Sequence, residues 1–203
     1  MYRTIYDWFK VKDLKTMVAL ECGSHLFQDT IPLSNIFKHV YTFEANPTVN
    51  VPFLPSNVTF VPQALANYTG TVPFYVEDFG DGGASSLLPA QGSYLHDYVK
   101  SERPVNVPCT TLHDVMTQHQ IPKIDFFWLD MEGYELEFLK SVDLSTVSYV
   151  YTEVNFQPFR KHGCLYKDIV AYMQQQKFVE VYSWIRGDWN GDVLFQKNTN
   201  TEC

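Results

Sequence analysis

Short apolar runs recur along the chain, and a segment with helical character separates the first two. The run MVALECG from Met17 to Gly23 is apolar and ends at a glycine, and the segment from about Asp29 to Lys38 suits a helix. Two more apolar runs, VYTFEANP and VTFVPQAL, follow. Strands and helices in this order predict parallel strands joined by right-handed crossovers.

The middle of the chain is less regular. TVPFYV predicts a strand, DFGDGGASS predicts a glycine-rich loop, and VNVPCTTL predicts a second extended stretch. We expect these segments to form a local excursion from the main sheet, as an antiparallel pair.

The most apolar strand lies in the second half of the chain. IDFFWLD is too apolar and too aromatic for anything but a strand that is buried on both faces. The last strand, DVLFQK, follows the turn-rich RGDWNG, which predicts an antiparallel hairpin closing the sheet. The other predicted elements are helices over Leu112–Gln120, Glu135–Leu139 and Tyr166–Lys177, and the strands SYVYTEVNF and FVEVYSW.

These elements predict one α/β domain over residues 1–203. Its core is a Rossmann-like, doubly wound sheet of about seven strands, mostly parallel with an antiparallel C-terminal strand. A helix over about residues 2–10 is expected to lie across the sheet or on a partner surface. A chain of 203 residues is long enough for one such domain, and it is compatible with a complete protein or with a module of a longer one.

Composition and charge narrow the possible partners. The chain is 45% hydrophobic and 19% charged, and no apolar run approaches the roughly 20 residues that a membrane-spanning helix needs. The net charge is −8 and Lys and Arg do not cluster, so we expect no nucleic-acid partner. The four cysteines are widely spaced and indicate neither disulfides nor a zinc site. Without a signal-peptide core, a cytoplasmic protein is expected, of undetermined oligomeric state.

Polar residues follow the predicted strands at the edge where doubly wound sheets bind ligands. The first strand ends in Glu21, Gly23 and Ser24, where the glycine permits close backbone approach and the following amides are expected to face a ligand carboxylate. Glu44 ends the second strand about 20 residues further on. At that spacing an acid accepts hydrogen bonds from the hydroxyls of a ribose.

The third strand and the loop after Gly23 indicate the kind of nucleotide. Gln63 and Ala64 follow the third strand, where they are placed to line an adenine. His25 and Phe27 stand where a nicotinamide-binding loop would have glycines, and they would obstruct a pyrophosphate. A cofactor without pyrophosphate therefore fits better.

Acidic residues end the two most buried strands. Asp130, Glu132 and Gly133 come directly after IDFFWL, where carboxylates are costly to desolvate unless they have partners or a function. Asp130 is the stronger functional candidate, because Glu132 can simply place negative charge at the first turn of the next helix. Glu153 and Asn155 end the following strand and place a second acid beside Asp130. Glu153 can also be a hydrogen-bonded acid that positions a loop.

The chain resembles the FkbM-type methyltransferases at these positions. The segment from Ile124 to Leu139 fits the motif I-D-x-x-x-x-D-x-E-G-x-E-x-x-x-L, and the resemblance covers nearly the whole chain. Phe27 replaces the glycine usual in the family, which leaves open the path of that loop and any contact of His25. Further matches are E-x-G-x-x-x-x-D-T from Glu21 to Thr30, F-E-x-N-P from Phe43 to Pro47, Gly83–Leu87, and T-E-V-N-F from Thr152 to Phe156.

The resemblance implies a class I methyltransferase fold and the transfer of a methyl group from S-adenosylmethionine to a hydroxyl, frequently on a sugar. Together with the strand-end positions, it implies that the cofactor is bound by Glu21, Gly23, Ser24, Glu44, Ala45, Asn46, Gln63, Ala64, Ser85, Ser86 and Asp130.

Methyl transfer to a hydroxyl needs an in-line approach and a base that takes the proton. Asp130 is the predicted base, with Glu153 as a second catalytic candidate. His162, on the loop after the fifth strand, is an alternative base or a surface residue. The predicted acceptor-binding residues are Glu132, Asn155, Phe156 and Trp184.

Three alternatives remain open. A divalent metal held by Asp130, Glu153 and Asn155 is chemically reasonable, because oxygen ligands suit magnesium, but we favour a metal-free reaction. The acceptor can instead be a non-sugar small molecule, a lipid or a protein. The domain can also bind the cofactor without turnover, although the intact pair of Asp130 and Glu153 argues against that.

Overall fold

A computed structural model describes residues 4–78, 80–92 and 101–199 of the chain. The helices are α1 (Ile5–Phe9), α2 (Thr30–Ile36), α3 (Leu112–Gln118), α4 (Glu135–Ser141) and α5 (Tyr166–Gln175). The strands are β1 (Val18–Cys22), β2 (His39–Phe43), β3 (Val58–Val61), β4 (Ala64–Leu65), β5 (Gly70–Glu77), β6 (Glu102–Thr110), β7 (Phe126–Leu129), β8 (Tyr149–Asn155), β9 (Phe178–Arg186) and β10 (Asn190–Lys197). Across these described ranges, no helix is long and apolar enough to cross a membrane.

Seven strands form one sheet in the order β3-β2-β1-β7-β8-β10-β9. Five neighbouring strands run parallel to one another: β3, β2, β1, β7 and β8. Strand β10 is antiparallel to both of its neighbours, β8 and β9. The predicted Rossmann-like sheet with an antiparallel C-terminal strand is confirmed. The hairpin does not place its last strand at the edge, since β10 carries the buried residues Val193, Leu194 and Phe195 and lies inside the sheet.

The middle of the chain forms a separate three-stranded sheet in the order β4-β6-β5. The pair β5 and β6 is antiparallel, as predicted for the local excursion. The run VTFVPQAL, predicted as one strand, is divided between the two sheets. Val61 ends β3 in the main sheet, and Ala64 begins β4 in the small one. Pro62 lies at the break because a proline has no backbone N–H to donate to a strand ladder.

Apolar layers cover both faces of the main sheet, and β7 contributes side chains to each layer. Phe127 and Leu129 face the layer that contains α3, α4 and α5, whereas Phe126 and Trp128 face the layer that contains α1 and α2. All four residues are buried, as the sequence predicts. Helix α1 packs on the sheet, and residues 2 and 3 of the predicted N-terminal helix lie outside the described residues.

Caps and backbone conformation fix the ends of the helices. Thr4 and Thr111 are the N-caps of α1 and α3. Their hydroxyls accept hydrogen bonds from the backbone amides of Asp7 and Asp114. Helices α3 and α5 end slightly before their predicted last residues, Gln120 and Lys177. Both of those residues have positive φ angles, 53° and 64°, and a left-handed residue stops a helix.

Phe27, the departure from the family pattern, has the backbone conformation of a glycine. Its φ is 61°. Its ring is 1% exposed and packs edge-to-face on Phe60, with 5.3 Å between the ring centroids. The left-handed conformation costs a non-glycine residue roughly 1–2 kcal/mol, whereas truncation of a buried phenylalanine costs roughly 3–5 kcal/mol. Burial therefore outweighs the backbone strain.

We expect Phe27→Gly to lower the free energy of unfolding by about 2 kcal/mol, and Phe27→Ala to lower it by about 1 kcal/mol more. Alanine loses the ring and keeps the strain, whereas glycine loses both. Urea denaturation measures the two differences.

The matched control is Phe60 in β3, where the backbone is extended. There, Phe60→Gly should be less stable than Phe60→Ala, because glycine weakens a strand. If glycine is also the worse substitution at Phe27, the strain is absent.

Candidate active site

A cavity of about 450 Å³, the first cavity, opens at the carboxyl ends of β1, β2 and β7. The glycine-rich loop over residues 80–85 forms part of its wall. This is the edge at which the sequence predicts a ligand. Predicted cofactor residues that line the cavity are Gly23, Glu44, Ala45, Gln63, Ala64, Ser85 and Asp130.

Gly23 brings the end of β1 against the end of β7. Its φ is 85°, and a Cβ at this position would lie 1.7 Å from the carbonyl oxygen of Asp130. The amide of Asp130 also donates to the carbonyl of Cys22 at 2.9 Å. No side chain fits between these backbones, so the glycine is required for the approach of the two strand ends.

The amides after β1 are bonded within the protein. Gly23 and Ser24 donate their backbone N–H groups to the carbonyl of Phe43 at 3.0 and 3.2 Å, and His25 donates to Glu44 at 2.6 Å. The expectation that these amides face a ligand carboxylate is therefore corrected. They join the end of β1 to the end of β2 instead.

Glu44 is a buried carboxylate with both oxygens held. One oxygen accepts the amide of His25 and the other accepts the amide of Asn46, each at 2.6 Å. Burial raises the pKa of Glu44, and these hydrogen bonds oppose the shift. Each carboxylate oxygen has further acceptor capacity, so a fixed Glu44 can still bind ligand hydroxyls in the first cavity.

Asn46 offers a buried donor beside the first cavity. Its side-chain oxygen accepts from the amide and the hydroxyl of Thr48, at 3.0 and 2.7 Å. Its Nδ2 has no hydrogen-bond partner among the described atoms, and it lies 3.1 Å from the position of a Cβ on Gly82, which lines the cavity. An unsatisfied buried donor costs roughly 1–3 kcal/mol, which a ligand acceptor would recover.

Four predicted cofactor residues do not line the cavity: Glu21, Ser24, Asn46 and Ser86. The Glu21 carboxylate is buried and accepts the hydroxyls of Thr30 and Thr42, each at 2.6 Å. The Ser86 hydroxyl donates to the carbonyl of Glu132 at 2.9 Å. The geometry therefore assigns Glu21 and Ser86 to the scaffold, because their polar groups are used inside the protein.

The turn after β7 is held by Glu135, the acid that begins α4. Glu132 and Gly133 have φ angles of 51° and 100°. The buried carboxylate of Glu135 accepts the amides of Met131 and Gly133, at 2.9 and 3.2 Å. The third acid of the D-x-E-G-x-E motif was the signal for this role. It fixes a strained turn in which Glu132 has an unfavourable backbone conformation.

Three carboxylates converge beside this turn. Oxygen atoms of Asp130, Glu132 and Glu153 all lie within 4.8 Å of one another. Two of the three have cations nearby, since Arg186 bonds Glu153 at 3.1 Å and Arg160 lies 3.7 Å from Glu132. Arg160 is buried, although Lys161 and His162, which follow it, are exposed. No signal in the sequence pattern identified either arginine.

Mutual repulsion changes the acidity of this cluster. Asp130 is exposed to solvent on one side, and partial desolvation by the surrounding protein together with the charges of Glu132 and Glu135 raises its pKa above the usual range. Burial and the neighbouring Asp130 raise the pKa of Glu153 in the same direction. The cluster therefore retains protons at a pH at which isolated carboxylates would be fully ionised.

The remaining predicted residues are scattered. His162 is exposed on the loop after β8. It lines neither the first cavity nor the neighbouring cavity that Trp184 borders, so its assignment as a base is not supported. Phe156 packs against Tyr166, with 5.2 Å between ring centroids. Asn155 is buried at the end of β8, opposite Asn190 of β10. Trp184 is half-exposed and borders a second cavity, of about 360 Å³, which Asp130 also lines.

Comparisons with known proteins agree on the fold. The family model of the methyltransferase FkbM domain matches residues 22–180, and no curated protein matches the chain. Magnesium protoporphyrin IX methyltransferase from Synechocystis PCC 6803, with bound SAM, has a TM-score of 0.54 and 11% identity over 96% of this chain and 76% of that one. The same enzyme with bound SAH has a TM-score of 0.51 and 11% identity, with coverages of 96% and 80%.

TrmK from M. capricolum, in complex with S-adenosyl-homocysteine, has a TM-score of 0.49 and 12% identity, and covers 98% of this chain and 69% of that one. The two Synechocystis structures show that the architecture is that of class I methyltransferases.

Glu21 generates a prediction about stability. Burial raises its pKa from 4.5 to about 7, against the two threonine hydrogen bonds. Because the pKa is higher in the folded state, the stability contribution of Glu21 is complete below its unfolded pKa and is lost as pH rises through 7. Glu21→Gln keeps an acceptor oxygen and does not ionise. We therefore expect the free energy of unfolding of Glu21→Gln, relative to that of the wild type, to increase by about 2 kcal/mol from about pH 5 to pH 8.

Urea denaturation across this pH range measures the difference. Asp13→Asn, at an exposed acid, is the control and should show no such gain. Parallel curves for wild type and Glu21→Gln would mean that Glu21 is not buried as a titrating group.

Proposed function

The chain belongs to the FkbM methyltransferase family, and from this we propose that it is an S-adenosylmethionine-dependent O-methyltransferase whose acceptor is a hydroxyl of a sugar. One observation carries the proposal beyond the family. Asp130 is the residue that lines both the first cavity and the second cavity among the described lining residues. A base in this position can reach a hydroxyl that approaches from the second cavity.

The first cavity suits the cofactor. Its volume is within the range of roughly 300–1,000 Å³ typical of small-molecule sites. Glu44 would accept the ribose hydroxyls, the donor of Asn46 would bind a cofactor acceptor, and Gln63 and Ala64 would line the adenine. S-Adenosylmethionine supplies the methyl group from a positively charged sulfur, which keeps the electron pair of the broken bond and leaves as S-adenosylhomocysteine.

Asp130 takes the proton that the acceptor hydroxyl loses as its oxygen bonds to the methyl carbon. A general base works best when its pKa is near the working pH, and partial desolvation together with the charge of Glu132 raises the pKa of Asp130 in that direction. Glu153 and Asn155 lie two positions apart on β8 and point to the same face, but neither lines the first or the second cavity; Glu153, within 4.8 Å of Asp130, would position Asp130.

The proposed reaction needs no metal. The acidic cluster consists of oxygen donors that suit magnesium, but Arg186 and Arg160 already place positive charge beside two of its three members. The acidic net charge of −8 favours a neutral acceptor over a polyphosphate.

We expect S-adenosylhomocysteine to raise the melting temperature. A ligand at about 100 times its Kd stabilises a protein by about 2.7 kcal/mol, which corresponds to roughly 5–10 °C for a chain of this size. Glu44→Ala removes the fixed acceptor and should abolish the shift. Differential scanning fluorimetry with and without the compound measures it.

Glu21→Gln is the matched control, because Glu21 is a buried acid outside the first cavity. It should keep the full shift. A wild-type melting curve that S-adenosylhomocysteine does not move would contradict the cofactor assignment.

Asp130→Asn should keep the S-adenosylhomocysteine shift and lose roughly 10²–10⁴-fold in turnover, because the base is gone. Glu132→Gln removes a neighbouring negative charge and lowers the pKa of Asp130. In the pH profile of kcat/KM for Glu132→Gln, the rise on the acidic side should therefore occur at lower pH than in the wild type. The assay is transfer of label from S-adenosylmethionine to rhamnose-, fucose- and hexose-terminated oligosaccharides, followed by product mass.

Glu137→Gln, at an exposed acid of α4, is the control and should leave the pH profile unchanged. Full activity of Asp130→Asn would exclude Asp130 as the base. Label that appears only in a non-sugar acceptor would exclude the sugar.

A further inference from the structure

One face of the main sheet presents a row of aromatic and acidic side chains across four strands. Trp128 of β7 is opposite Tyr151 of β8, and Asp192 of β10 is opposite both Glu153 of β8 and Trp184 of β9. Residues that are opposite each other in a ladder, or two apart on a strand, point to the same face. The strand register therefore brings this row together, and it lines much of the second cavity.

Aromatic rings form the apolar wall of the second cavity. The rings of Trp128 and Tyr151 have centroids 4.3 Å apart, and Tyr6 of α1 stacks on Trp128 at 6.2 Å. Tyr182 and Trp184 of β9 complete the wall, and Trp184 is 53% exposed. Trp128 and Tyr151 are 7% and 6% exposed, so a ligand at this site meets mainly the exposed ring of Trp184, which can pack on the C–H groups of a flat, apolar surface.

Charged groups at the same cavity disfavour ionic ligands. Asp29, Asp130 and Asp192 line it and would repel a phosphate or a carboxylate. The only cationic side chain among its described lining residues, Arg186, bonds Asp192 at 2.5 Å and lies 5.0 Å from the centre of the Trp184 ring. Arg186 thereby places a positive charge over one face of Trp184, which disfavours a cationic ligand there and leaves the other face for a neutral one.

Acceptor oxygens remain for neutral donors. Asp29 accepts the hydroxyl of Tyr6 at 2.6 Å and keeps further acceptor capacity. Asp130 has open space on the side of the second cavity. A ring that carries several hydroxyls on one side and C–H groups on the other matches both the carboxylates and the aromatic wall.

We propose that the second cavity is the acceptor site, and that it binds a terminal sugar residue between Trp184 and the row of Trp128 and Tyr151, with the reacting hydroxyl at Asp130. This inference rests on the proposed function, because it names the place and the determinants of acceptor binding in that reaction. The volume of the second cavity, about 360 Å³, suits one sugar residue.

The test uses saturation-transfer difference NMR on the protein saturated with S-adenosylhomocysteine. The probes are the methyl glycosides of rhamnose, fucose and mannose, with choline, catechol and glucose 6-phosphate as comparison ligands. We expect at least one glycoside to bind through its ring C–H protons. Choline and glucose 6-phosphate should not bind.

Two tryptophans of the β9–β10 hairpin provide matched variants. Trp184 borders the second cavity, whereas Trp189, 57% exposed, stacks on Phe159 and borders a different groove. Trp184→Ala should weaken glycoside binding by about tenfold or more, and Trp189→Ala by less than about twofold. Both variants should keep the melting shift with S-adenosylhomocysteine, which also shows that they are folded.

Several outcomes would overturn the inference. They are the absence of binding by every glycoside to wild type, equal losses in the two tryptophan variants, and binding of choline or catechol in place of the glycosides. If S-adenosylhomocysteine does not bind wild type, the proposed function fails. If it binds but Trp184→Ala leaves glycoside affinity unchanged, only the inferred acceptor site fails.

Discussion

The close contact between Gly23 and the carbonyl of Asp130 is the constraint on which the rest of the site depends. A Cβ at Gly23 would lie 1.7 Å from that oxygen, so the two strand ends can meet only without a side chain. The same turn donates the amides of Gly23 and Ser24 to the end of β2. Glu44 then closes the arrangement by accepting the amide of His25. Three parallel strands are thereby fixed at one edge, and a carboxylate projects from two of them beside one cavity.

The fixed edge makes a costly group of charges tolerable. Asp130, Glu132 and Glu153 are too close to ionise independently, and water cannot fully screen them. Arg186 and Arg160 offset part of this repulsion, and Glu135 prevents the turn from moving away by holding its amides. A flexible turn would relieve the repulsion by separating the acids. A rigid turn keeps the acids together, and their pKa values are raised as a result.

Hydrophobic patterning predicted a mostly parallel sheet and the burial of β7, because apolar periodicity depends on local sequence and on burial alone. It did not reveal which acids contact the cavity. Glu21 and Glu44 both end short apolar strands. The Glu21 carboxylate accepts hydrogen bonds from the hydroxyls of Thr30 and Thr42, and the spacing of the acids along the chain does not reveal these partners. Arg160 is similar, since its partners Glu102 and Glu132 come from distant parts of the chain. Polar partnerships between distant segments are fixed by packing, and a single sequence does not contain that information in periodic form.

The alternation of side chains along the strands explains why one acid serves two cavities. Phe126, Trp128 and Asp130 are two residues apart, so the side chain that follows Trp128 on its face, just beyond the strand, is that of Asp130. The aromatic row thus leads directly to the acid. On the other side, the contact with Gly23 brings the backbone of Asp130 to the first cavity. A shift of β7 by one residue would move Trp128 and Asp130 together to the face opposite Tyr151 and Trp184. The pairing of β7 with β1 and β8 therefore determines whether Asp130 and the aromatic side chains of β8 and β9 lie at the same cavity.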